Sequence, residues 1–65
     1  MNLIEGIQQQ CNRCRELIQQ YESIGPAGVF GAAMIRGDIK DAEDAIASGD
    51  VVEMLRAYKI LEGCE

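Results

Sequence analysis

The chain has 65 residues, 48% of them hydrophobic, with six Lys and Arg against eleven Asp and Glu, a formal charge of −5 and no histidine. That length bounds it to a single domain, residues 1–65, and that apolar fraction excludes a disordered chain. The acidic balance, with no basic stretch to override it, excludes general binding of DNA or RNA.

A first helix is predicted over residues 2–23. Ile4, Ile7, Cys11, Cys14, Ile18 and Tyr21 recur at alternating steps of three and four, and Leu3 and Leu17 widen the stripe. A mean step of about 3.5 predicts near-parallel packing against a neighbour, at about 20°. The other face carries Gln8, Gln9, Gln10, Arg13, Glu16, Gln19 and Gln20 and is expected in solvent. Gly6 weakens the pattern by roughly 1 kcal/mol relative to Ala, so fraying is expected in the first turns. Ser23 to Gly25 ends the helix.

The segment Gly25–Gly37 then turns the chain over. It holds four of the seven glycines and the only proline. Pro26 suits the first turn of a helix, where no intrahelical N–H is needed and φ is already right. The second helix is predicted from Pro26 to residue 47 or 48, with a seam of Gly28, Ala32, Ile35, Ile39, Ala42 and Ile46. Small residues on that seam bring the helices close together. Arg36, Lys40, Asp41, Glu43 and Asp44 fall off it, and Gly37 marks a place for a kink.

Ser48-Gly49-Asp50 stops this helix and starts a third, predicted over 50–62. Asp50 followed by Glu53 resembles a capping box with Asp in the Ser/Thr role. Val51, Met54, Leu55, Tyr58 and Leu61 cluster on one face, while Val52 and Ile60 point elsewhere. No strand, repeat or linker appears. The expected fold is all-α: a three-helix up-down-up bundle, or a helical hairpin with a short third helix. A core this small contributes on the order of 3–5 kcal/mol net, and such domains are commonly completed by a staple or a second copy. A homo-oligomer is expected.

Chemistry-bearing residues are few. Cys11-Asn-Arg-Cys14 is a CxxC and Cys64 a third thiol. A third helix of about 13 residues rises about 20 Å, which brings its end beside the middle of the first, where both other cysteines sit. A zinc site wants four ligands, and no His or second CxxC supplies the fourth. A redox CxxC wants its attacking thiol at a helix N-terminus, whereas these two are mid-helix. Cys11 and Cys14 are therefore read as small core hydrophobes, with metal binding by Cys11, Cys14 and Cys64 the minor alternative. Asp38, Asp41, Glu43, Asp44, Asp50 and Glu53 are read as solvated carboxylates, and no nucleophile–base pair is found. The chain is read as non-enzymatic, without a cofactor.

The Gly25–Gly31 turn is the candidate ligand site. Free N–H groups at a helix N-terminus attract anions, and Gly25, Ala27, Gly28 and Gly31 permit close approach. Phe30 or Tyr21 offers a stacking ring, and Arg36 is the nearest cation. The phosphate fingerprints GxGxxG and GxxxxGK[ST] are absent, and a tight turn with close helix packing is the favoured reading. Phe30, Met34, Val52 and Ile60 lie off the seams and are expected in a subunit or partner interface. No run approaches the roughly 20 apolar residues of a membrane span, and the N-terminus lacks a signal-peptide order. The expected compartment is the cytoplasm, with reduced thiols.

The run Gly25-Pro26-Ala27-Gly28-Val29-Phe30-Gly31, continued by Asp38-Ile39, Ala42-Glu43, Ala45 through Val52 and Met54-Leu55, resembles small uncharacterised accessory proteins of tailed phages and prophages. The resemblance covers residues 25–65. It implies an accessory factor in a host cytoplasm that blocks a host protein or a defence system. The alternative it implies is sequestration of a phosphate-bearing nucleotide signal near the Gly25–Gly31 turn at subunit interfaces. No catalytic or binding residue is carried over from it.

Overall fold

The computed structural model describes residues 2–65. They form three helices: α1 over Leu3–Ile24, α2 over Pro26–Ser48 and α3 over Val51–Glu62. Each helix packs on both others. The molecule is 36 Å along its longest axis, which the 22-residue α1 alone nearly spans at about 1.5 Å per residue.

Neighbouring residues set the directions. Glu22 meets Arg36 and Arg15 meets Glu43, so α1 and α2 run antiparallel. Gly6 lies under the Tyr58 ring and Arg13 reaches Cys64, so α3 returns parallel to α1. This is the up-down-up order expected from the short connections. The core is aliphatic and small: Ile7, Cys11, Cys14 and Ile18 from α1, Ala32, Ile35, Ile39, Ala42 and Ala45 from α2, and Met54, Ala57 and Leu61 from α3. No charged or polar side chain is buried among the described residues.

Local chemistry explains each boundary. Asn2 caps α1, its side-chain oxygen accepting from the Glu5 N–H at 2.8 Å; Asn followed three residues later by Glu is a helix-start signal that the sequence carries. Gly25 ends α1 and opens α2 with φ 106° and ψ −154°, a conformation essentially confined to glycine. Pro26 follows at the first helical position. Asp50 Oδ1 accepts from the N–H groups of Val52 and Glu53, at 3.0 and 3.2 Å. The reciprocal half of a capping box is replaced: the Asp50 N–H donates to Ser48 Oγ, and Glu53 pairs with Arg56.

Four expectations are corrected. Ile4, placed on the α1 seam, is 40% exposed, because Leu3, Gly6 and Ile7 take the inward positions of the first turns. Gly6 is buried, and the Tyr58 ring packs where its side chain would be; a Cβ there would come within 3.0 Å of Tyr58 Cε2. On α3 the seam is Met54, Ala57 and Leu61, while Val51 and Leu55 are exposed. The helix meets two neighbours along one narrow stripe, and the small Ala57 lets it approach both. Lastly, α2 runs unbroken through Gly37.

Gly37 sits mid-helix with nothing within 4 Å of the place a Cβ would occupy. Gly37→Ala is expected to stabilise the fold by roughly 0.5–1 kcal/mol, through helix propensity alone. Urea titration checks it; an unchanged or lowered midpoint refutes it.

Candidate contact surface and thiol cluster

The helices differ in length, and that difference shapes the surface. The side of the α1/α2 hairpin facing α3 can be traced from its contacts. On α2 it is Asp38, beside Cys64, then Asp41, Ala45 and Ser48, which line the groove against α3. Continuing back from Asp38 in steps of four and three gives Met34, Gly31 and Ala27, with Phe30 at the margin. On α1 the same side carries Gly6, Arg13, Leu17, Tyr21 and Ile24. The third helix stops at Glu62, and no other helix of the described residues lies across the Leu17–Gly37 end of the hairpin.

Phe30 is 75% and Met34 62% exposed. Ile24 and Val29, at the same end of the hairpin, are exposed as well; neither belongs to the seam pattern of its helix, and Ile24 stands directly before the turn glycine. Cys64 and Glu65 lie at the inner edge of this open end. There the Tyr21 hydroxyl donates to the Glu65 main-chain oxygen, and a hollow of about 140 Å³ is lined by Leu17, Gln20, Tyr21, Ile24 and Glu65. Between Leu17 and Gly37 the only charged residues are Glu22 and Arg36, and they pair with each other at 2.6 Å. Within that stretch the charges therefore cancel, and Glu65 brings an exposed carboxylate to its inner edge.

The glycines of the turn are occupied by packing. A Cβ on Gly28 would fall 1.7 Å from the Tyr21 carbonyl oxygen, and one on Gly31 within 3.3 Å of the Tyr21 ring. Tyr21, Gly28 and Gly31 are therefore brought together as a helix crossing. The Gly28 N–H donates to the Gly25 carbonyl. Ala27 is exposed beside Phe30, and Arg36 lies on the opposite side of the hairpin, on Glu22.

Val52 and Ile60, the other two off-seam residues, do not share a patch. Val52 joins the exposed Val51 and Leu55, whereas Ile60 lines the α2/α3 groove with Asp41, Asp44 and Arg56. Most carboxylates have structural partners: Asp44 holds Lys40, Glu43 holds Arg15, and Asp50 caps α3.

Arg13, read as a solvated residue, ties α3 to α1. Its guanidinium donates to the Leu61 carbonyl at 2.6 Å and to the Cys64 carbonyl at 2.9 Å, and its Nε to Gln10. These are carbonyls that a helix C-terminus leaves without partners, and a cation there also suits the dipole. No sequence pattern singles Arg13 out, since the carbonyls arrive from 48 and 51 residues away.

The three thiols are free. Cys11 and Cys14 are buried in the core, and Cys14 Sγ lies 3.6 Å from the Leu61 carbonyl. Cys64 comes to the same region, its Sγ 3.6 Å from Asp38 Oδ2. Burial, then the neighbouring Cys14 and Asp38, push the Cys64 thiol up to about 11. Burial also raises Cys11, partly opposed by Arg15. Among the described residues no three Cys, Asp or Glu are grouped to hold a metal ion, and no helix is long and apolar enough to cross a membrane.

The Cys64 shift has a testable sign. The folded chain keeps its proton up to about pH 11, whereas the unfolded chain releases it near 9. Its contribution to stability is whole below pH 9 and is lost as pH rises through that window. Alkylation by iodoacetamide at pH 8 is expected to be slower than for the same thiol in the denatured chain. Equal rates refute it.

No known protein family, curated protein or solved structure matches this chain.

Proposed function

We propose that this chain is a non-enzymatic, self-associating binding protein whose contacts are made by the apolar side chains outside its bundle. The observation that carries this reading is the open tip of the hairpin, where Ile24, Val29, Phe30 and Met34 are each exposed in a chain whose core is twelve small and medium side chains. Surfaces of this kind mark protein contacts. A second apolar patch, Val51, Val52 and Leu55, leaves room for a partner beside the first. A host protein as that partner is what the resemblance to phage accessory proteins implies, as is a host cytoplasm as the compartment.

A phosphate-bearing small ligand near the Gly25–Gly31 turn is the second reading. It draws on the α2 N-terminus beside exposed Ala27 and Phe30, and needs a subunit interface to complete a pocket. Native mass spectrometry of the intact protein purified from its cellular source tests both. Whole multiples of the chain mass, alone or with an added protein, support the first reading. An added nucleotide-sized mass supports the second. A bare monomer at all concentrations, unchanged by lysate, refutes the binding role.

A further inference from the structure

Cys64 stands outside α3, one residue past Gly63, and is partly exposed, while Cys14 on α1 is fully enclosed. Both are gathered on one atom. The Leu61 carbonyl oxygen receives the Cys64 N–H at 3.1 Å and lies 3.6 Å from Cys14 Sγ. The two thiols are within hydrogen-bonding reach of each other. We propose that Cys14 and Cys64 form a reversible disulfide when hydrogen peroxide is present, a redox latch that fastens the end of α3 to the middle of α1.

Geometry selects this pairing among the three that the cysteines allow. Cys11 and Cys14 lie three apart on one helix, where Cβ atoms are about 5–6 Å apart. A disulfide needs about 3.5–4.5 Å, and a regular α1 does not close that gap. Cys11 also lies on another side of the bundle, where it lines the groove between α1 and α2 with Gln8, Arg15, Glu43 and Ile46. Cys64 belongs to no helix, so rotation about its own bonds brings its sulfur onto Cys14 while α1 and α3 stay in place. What it gives up is weak, since its thiol contacts to Asp38 Oδ2 and the Ile60 carbonyl are both 3.6 Å.

The chemistry balances with peroxide as the oxidant. Cys64, the more accessible thiol, reacts first: its thiolate attacks a peroxide oxygen, the O–O bond breaks, and a sulfenic acid and hydroxide result. The hydroxide takes up the proton that Cys64 released. The Cys14 thiolate then attacks the Cys64 sulfur, the S–O bond breaks, and the departing hydroxide takes up the Cys14 proton. Two thiols and one hydrogen peroxide thus give one disulfide and two waters. Arg13 Nη2, 4.0 Å from Cys14 Sγ, places a positive charge beside the attacking sulfur. Burial holds the Cys64 thiol up at about 11, so little thiolate is present at neutral pH. The latch therefore answers a sustained oxidant rather than a brief one.

The test is to treat the full chain with hydrogen peroxide at low protein concentration, denature it, block it with iodoacetamide and digest it without reductant. Trypsin cuts after Arg13, Arg15 and Lys59, so the three cysteines fall on separate peptides. The Cys14 and Cys64 peptides are expected to be joined within one chain, with the intact mass lower by two hydrogens and Cys11 alkylated. The bond closes a loop from Cys14 to Cys64 and restricts the unfolded state, so the urea midpoint is expected to rise by about 2 M or more. Dithiothreitol is expected to return it to the reduced value. Cys64→Ser, at a partly exposed position, is expected to keep the fold and lose both the link and the shift. A link through Cys11, a bond formed only between chains, or Cys64 carried on to sulfinic acid without a link overturns the latch. So does a chain that peroxide leaves unlinked, or a joined chain with an unchanged midpoint.

Discussion

Replacing Gly28 by alanine is expected to cost roughly 3 kcal/mol or more, beyond the usual range for an overfilled core. The added methyl would lie 1.7 Å from the Tyr21 carbonyl oxygen and 2.7 Å from its carbon. These are backbone atoms inside α1, so no rotamer change relieves the overlap. The hairpin has to open at its tip, which loosens the part of the core to which Ile18, Ala32 and Ile35 belong. In a domain whose net stability is on the order of 3–5 kcal/mol, that removes most of the stability. Urea titration followed by circular dichroism reads this directly. A wild-type midpoint for Gly28→Ala would show that α1 and α2 do not approach as closely as described. The neighbouring Gly31 provides a graded control: its nearest contact is the Tyr21 ring at 3.3 Å, which can tilt, so Gly31→Ala is expected to cost far less.

The second large effect is at Leu61. It is fully enclosed, at 0% exposure, and its carbonyl receives Arg13. Leu61→Ala is expected to cost about 2–5 kcal/mol, the lost transfer energy plus the cavity left among the buried side chains of α1 and α2. Leu55→Ala, at a position 55% exposed, is expected to change stability by less than about 0.5 kcal/mol. The pair matters because both leucines fit one face of α3 on spacing alone. If the two substitutions proved equal, the orientation of α3 would be wrong. A disproportionate loss of α3 in Leu61→Ala, seen as faster amide exchange over 51–62 than over 3–48, would show that this helix is held mainly by Leu61 and Arg13.

Much of the architecture is written in local chemistry. Pro26 after Gly25, Gly49 before Asp50, and Asp50 before Val51 each act within a turn of backbone, so element number and boundaries follow from the residues themselves to within one residue or so. The α1 and α2 seams were also legible, because each helix buries a stripe at the spacing its own geometry imposes. Cys11 and Cys14 fell on that stripe and are buried, as seam residues are. Phe30, Met34, Val52 and Ile60 fell off it and are exposed.

What the sequence by itself determined, then, is the all-α class, three helices and their ends, the apolar stripe of the hairpin, and the acidic balance of the chain. Only the tertiary structure decided which of α3's apolar residues point inward. Periodicity marks several near-equivalent faces on a twelve-residue helix, and the choice belongs to the two partners it must touch at once. It also decided that Gly6 makes room for Tyr58, that Arg13 closes the end of α3, and that Gly28 is pressed on Tyr21. Each depends on where a residue distant in sequence arrives. The open tip is of the same kind. It exists because α3 begins beside the far end of α2 and runs out before reaching Leu17, a difference between the lengths of packed helices that no single stretch of sequence contains.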